Sequence, residues 1–105
     1  MVYVISSFQV TPGKMNEARE MLQRQGDYLK KAFGAQLVRL QAVTPAPGES
    51  DRIVSIMTCD SLAAWGAYQQ KVQEDTKRNA LVNEAYSEKQ VFVLGGFTRT
   101  VYTTI

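Results

Sequence analysis

The first apolar stretch is hydrophobic at both alternating positions. Val2, Val4, Phe8 and Val10 fall on one face of an extended chain, with Tyr3 and Ile5 on the other. The segment predicts a strand, stopped by the turn residues Thr11-Pro12-Gly13. A strand with one wet face alternates apolar with polar, so this one needs cover on both sides. From Lys14 to Phe33 the period becomes helical. Met15, Ala18, Leu22, Leu29 and Phe33 form a stripe with a polar interruption near Gln25, and Gly34 is placed for a left-handed cap. Leu37 to Val43 predicts a second strand, with Leu37, Arg39, Gln41 and Val43 on one face and Val38, Leu40 and Ala42 on the other.

A Pro- and Gly-bearing loop over 44–50 leads to a third strand from Arg52 to Thr58. Its Val54 and Ile56 oppose Ile53 and Met57, and the hairpin-type connection implies antiparallel pairing. Asp60 is a favourable N-cap for a second helix whose buried stripe is Leu62, Trp65, Tyr68 and Val72, with Glu74 and Arg78 spaced as an i,i+4 pair. A short helical turn follows through Asn79 to Tyr86. The last strand begins near Lys89 and runs through Gly95-Gly96 to Tyr102, the glycine pair marking a bulge or bend.

The order β-α-β-β-α-β is the ferredoxin-like arrangement, an α+β fold with a four-stranded antiparallel sheet and two helices on one face. One domain spans 1–105. The other sheet face carries large apolar side chains, and nothing in a chain of this length is left to cover it. A second copy, sheet against sheet, is the expected cover, so a homodimer is predicted.

Composition narrows the chemistry more than it names it. The chain has no histidine, which removes Ser-His-Asp triads, Cys-His pairs and imidazole metal ligands from any one subunit. The single cysteine, Cys59, allows no intrachain disulfide, and a cytoplasmic location is expected. No apolar run approaches the ~20 residues of a membrane span. Twelve basic against ten acidic residues leave a net charge of +2 without a basic cluster, so neither nucleic acid nor membrane is an expected partner. No carboxylate pair stands on an apolar face, and no metal or cofactor is called for.

Two segments carry a family resemblance. Phe8-Gln9-Val10-Thr11-Pro12-Gly13-Lys14-Met15-Asn16-Glu17-Ala18 resembles the strand, Pro-Gly-Lys turn and helix start of the dimeric α/β-barrel superfamily. Asp60-Ser61-Leu62-Ala63-Ala64-Trp65 resembles the opening of its second helix, particularly in the NIPSNAP-like and antibiotic-biosynthesis monooxygenase-like branches. The resemblance implies a dimeric α/β barrel. It also implies a ligand cleft between helices and sheet, and relatives that include cofactor-independent monooxygenases of polycyclic phenols, polyketide cyclases, isomerases and haem-degrading enzymes. Without histidine, the haem-degrading and histidine-dependent members are poor models. In the monooxygenase branch Trp, Asn, Tyr and Arg side chains of the cleft bind substrate and promote its deprotonation, and Trp65 stands where a second-helix Trp is expected.

On this reading Tyr68, Arg39 and Tyr86 are the candidate catalytic residues, and Trp65, Ser6, Phe8 and Asn83 the candidate ligand-binding ones. Trp65 and Tyr68 form an aromatic wall for a flat ring, or are plain core. Arg39, charged in mid-strand, binds a phenolate, enolate or carboxylate, or makes an ion pair across the dimer. Tyr86 and Asn83 precede the last strand, where a lid would lie. Whichever of Ser6 and Ser7 faces the helices offers a hydroxyl. Tyr68 or Tyr86 relays a proton if Arg39 lowers its pKa. Cys59 reads as inert packing.

Two functions follow. One is a cofactor-independent monooxygenase, cyclase or isomerase acting on a small hydrophobic, aromatic or polyketide-like molecule. The other is a non-catalytic homodimer, structural or binding a small ligand. A polar cleft favours the first; a cleft filled by Trp65, Phe8 and Leu62 favours the second.

Overall fold

The computed structural model describes residues 1–105. The elements are β1 (Val2–Gln9), α1 (Met15–Phe33), β2 (Gln36–Gln41), β3 (Arg52–Cys59), α2 (Leu62–Glu74), α3 (Thr76–Asn83), a π-helical turn (Glu84–Glu88) and β4 (Thr98–Thr103). The strands make one antiparallel sheet in the order β2-β3-β1-β4. The fold is α+β and ferredoxin-like, with three helices where the hydrophobic pattern gave two and a short turn. No helix is long and apolar enough to cross a membrane.

The caps explain where the helices lie. Gly34 takes φ +66° and returns its N–H to Leu29 and Lys30 carbonyls, closing α1 in the left-handed conformation that glycine adopts at little cost. Ser61, not Asp60, caps α2: its Oγ accepts from Ala64 N at 3.0 Å, the third helical position, which Asp60 is one residue too early to serve. The helix then breaks at Asp75, which is extended and caps α3 by accepting from Arg78 N. That break separates Glu74 from Arg78, so the expected i,i+4 pair does not form; the ion pairs are Arg24–Glu84 and Lys89–Glu84.

The expected last strand is two pieces. Residues 91–93 meet the chain just beyond β1, through an isolated Val10–Phe92 bridge and hydrogen bonds Thr11 N to Val91 O and Val93 N to Gln9 O. Pairing resumes at Ser7–Thr98, so Phe8 and Gln9 face the five residues 93–97, an outsized bulge that contains the glycine pair. Gly95 supplies φ +81°, and a Cβ on Gly96 would sit 2.5 Å from the Gln9 side chain.

Burial alternates along the two central strands, and this sets the faces. Val2, Val4, Ser6 and Phe8 of β1, with Ile53, Ser55 and Met57 of β3, are buried toward the helices. Tyr3, Ile5, Val54 and Ile56 lie on the opposite face, together with Val38 and Leu40 of β2, about half exposed. Leu62, expected in the buried stripe, is 60% exposed, and Val72 alone of the α2 residues is buried. The inner core is divided. A larger cluster surrounds Phe8, Leu22 and Phe92, a smaller one Val2, Val4 and Met57, and the buried Ser6 and Ser55 lie between them along the strands.

Candidate functional site

The division in the core is occupied by a cavity of about 430 Å³ between the helices and the inner face of the sheet. Sheet register builds its floor. Arg39 pairs with Ser55 across β2 and β3, Ser55 with Ser6 across β3 and β1, and Ser6 with Arg99 across β1 and β4. Residues paired in register share a face, so an Arg-Ser-Ser-Arg row crosses all four strands, roughly 14 Å at the usual inter-strand spacing. Each arginine leans inward and donates Nε to its neighbouring serine, Arg39 to Ser55 Oγ at 2.9 Å and Arg99 to Ser6 Oγ at 3.1 Å. Both serine hydroxyls accept and so keep their own protons for a further acceptor.

The two ends differ in how firmly they are held. Arg39 also donates Nη1 to Leu22 O at 2.7 Å and Nη2 to Gln25 Oε1 at 3.1 Å, both on α1, and its guanidinium lies 5.8 Å from the Phe8 ring centroid. Gly26 lies beside the guanidinium, where a Cβ would be in ordinary van der Waals contact at 3.7 Å from Arg39 Nη1. Arg99 has the single serine bond, and its guanidinium rests against Trp65 and Phe97 at 5.5 and 5.0 Å from their centroids. Burial pulls Arg39 down to about 10, against a nearby Tyr68, which leaves it charged at neutral pH. Burial and then Arg78 lower Arg99.

The roof is aromatic. Trp65 and Tyr68, one turn apart on α2, stack at 6.0 Å and 26°, and Phe33 meets Tyr68 edge-on. Tyr86 projects from the π-helical turn and packs on Phe92. Of the tyrosine hydroxyls only that of Tyr28 is hydrogen-bonded within the protein, to Asp75 Oδ2 at 2.6 Å, which ties α1 to the α2–α3 break. Tyr68 and Tyr86 line the cavity without such a bond. Burial raises the pKa of both and outweighs the arginines, Arg39 foremost for Tyr68 and Arg99 for Tyr86. Arg39 does pull Tyr68 downward, but burial outweighs it and the net shift is upward. The condition for a proton relay through a lowered tyrosine pKa is therefore not met, and the phenols are donors at neutral pH.

Six of the seven candidate residues, Ser6, Phe8, Arg39, Trp65, Tyr68 and Tyr86, line the cavity; Asn83 is exposed at the end of α3 and does not. Ser7 faces away and accepts from Arg52. Sequence reasoning missed Arg99, Arg78 and Ser55, which also line it. Ser55 was findable as the polar interruption of an apolar strand. Arg99 was not, because the bulge hides which face of β4 it takes. Burial raises the Cys59 thiol pKa, which opposes thiolate chemistry. No group of three or more His, Cys, Asp or Glu is arranged to hold a metal ion.

The sequence profile described as NIPSNAP matches residues 3–93. Among solved structures, a NIPSNAP family protein of unknown function from Agrobacterium tumefaciens superposes with a TM-score of 0.77 at 15% identity, over 99% of this chain and 87% of that one. An uncharacterised NIPSNAP domain protein from Burkholderia xenovorans gives 0.76 at 14%, over 100% and 95%. A Nitrosomonas europaea protein, provisionally described as an antibiotic biosynthesis monooxygenase, gives 0.70 at 12%, over 100% and 99%. No curated protein matches the sequence.

Proposed function

The chain belongs to the NIPSNAP family, and from that premise we propose that it is a small-molecule enzyme working without a bound cofactor on an aromatic or polyketide-like substrate held between helices and sheet. The observation that carries this reading is the open cavity itself. Trp65 and Phe8 line it without filling it, and Leu62 is turned to solvent. Apolar walls with a few placed polar groups are what a small-molecule site requires.

The polar groups also indicate the kind of chemistry. No carboxylate or imidazole lines the cavity, and the two phenols are held protonated, so the site offers no strong base. It offers positive charge and hydrogen-bond donors, which stabilise a substrate's conjugate base. A phenol or activated methylene that loses a proton through the open mouth becomes an enolate or phenolate held by the guanidinium row. From that anion, isomerisation is reprotonation at a second carbon, with Tyr68 or Tyr86 as donor. Cyclisation is attack on an internal carbonyl. Monooxygenation is reaction with dioxygen, converting a methylene to a carbonyl with release of water. The description of the Nitrosomonas europaea relative agrees with the last of these.

The test is turnover of a panel of polycyclic phenols and anthrone-like ketones, followed by oxygen uptake and product mass. The reading expects at least one substrate to be consumed, with Arg39→Ala lowering the rate by about a hundredfold or more. A panel neither bound nor consumed would leave the non-catalytic dimer as the better reading.

We read residues 1–105 as one dimeric α/β-barrel domain. The outer sheet face presents Tyr3, Ile5, Val38, Leu40, Ile56 and Tyr102 with no element of the chain over them. A second copy placed sheet to sheet would cover this patch by two-fold symmetry.

A further inference from the structure

We propose that the ligand of this cavity is itself an anion: a planar, largely apolar molecule carrying a carboxylate or phosphate-ester oxyanion, seated at the Arg99–Arg78 end of the row. The inference rests on the small-molecule reading above and adds the charge of the ligand and the place where that charge sits. Three guanidinium groups, those of Arg39, Arg78 and Arg99, line a single cavity whose lining contains no Asp or Glu. Unpaired charges of one sign at a partly buried site are costly, and a structural arrangement would have supplied an acid. The chain does so elsewhere, setting Glu84 between Arg24 and Lys89.

Arg39 is the anchored member, with three oxygen acceptors. Arg99 is the available one. Its Nε is fixed by Ser6, its plane is held against Trp65 and Phe97, and its two Nη groups make no hydrogen bond within the protein. A guanidinium held by one edge presents the planar fork that matches a carboxylate or phosphate. Arg78 adds an independent sign of a missing acceptor: its Nε is buried with no hydrogen-bond partner, while Nη1 is taken by the neighbouring Asn79. An oxyanion between Arg78 and Arg99 would satisfy the Nη fork and relieve the repulsion between the two cations. The stacked Trp65–Tyr68 pair would then receive the flat apolar body.

Calorimetric titration of the full chain with 2-naphthoate, 2-naphthyl phosphate and neutral 2-naphthamide tests this. At least one anion is expected to bind about tenfold tighter than the amide, the gap shrinking as salt is added. The tighter anion identifies the oxyanion class. Arg99→Gln, and separately Arg78→Gln, should reduce the gap by weakening the anions more than the amide, and an unaltered far-ultraviolet circular dichroism spectrum shows that each variant is folded. Equal binding of amide and anions, or a gap that survives both substitutions, overturns the charge assignment and leaves the small-molecule reading standing. Failure of all three probes to bind overturns both.

Discussion

Arg39 and Arg99 occupy equivalent places at opposite edges of the sheet, and their surroundings make them do different work. The three acceptors of Arg39 include a carbonyl and a side chain of α1, so this guanidinium holds helix to sheet as well as lending charge to the cavity. The tyrosines give the residue-scale prediction. Tyr28, Tyr68 and Tyr86 all have raised pKa values: Tyr28 through its hydrogen bond to Asp75, the other two through burial. A phenol whose folded pKa lies above its unfolded value of about 10 stabilises the fold below that pH, and the contribution is lost as pH rises past it. Spectrophotometric titration should therefore show part of the tyrosinate signal appearing late, and Tyr68→Phe should remove one late step. A normal titration of every phenol would mean that the cavity walls are wetter than described. Arg39 was legible in the sequence because a charge between Val38 and Leu40 has to be accounted for. The sign of the tyrosine shift was not, since it depends on whether burial or the neighbouring arginine dominates, and periodicity measures neither.

At the level of elements, Asp75 joins three parts of the molecule. It ends α2, caps α3 through Arg78 N, and accepts from Tyr28 of α1 at 2.6 Å. Asp75→Ala should cost about 2 kcal/mol, one part cap and one part hydrogen bond, read as a lower urea midpoint at unchanged slope. Ser61→Ala, which removes only the cap of α2, should cost about 1 kcal/mol in the same assay. If the two costs are equal, Tyr28 contributes nothing at Asp75. The first three strands and α1 were readable because strong periodicity and turn residues bound them: Thr11-Pro12-Gly13 before α1, Gly34 after it. The second half was less so. The break at Asp75 carries no Gly or Pro, and helical spacing runs through it undisturbed. The bulge over 93–97 was visible as a glycine pair but not in its size, and that size decides that Arg99 faces the cavity.

The molecule has two unlike sheet faces, one covered and hollow, the other bare and apolar. The bare face predicts association. Sedimentation at micromolar concentration should give a dimer, and Ile56→Lys, at the centre of that face, should shift it to monomer while leaving ligand affinity in the cavity within a few-fold. A wild-type monomer would contradict the argument from the outer face without touching the cavity. The hollow face carries the central claim, that the space between helices and sheet is a ligand site and not a flaw in packing. The most direct measurement is a crystal structure after soaking with polycyclic phenols and naphthoate. Ordered ligand density is expected beside Trp65 and Tyr68, with the ligand's acidic oxygens within hydrogen-bond distance of Arg99. Side chains closed over the Arg-Ser-Ser-Arg row, with no ligand taken up, would contradict it and make these residues part of a structural core.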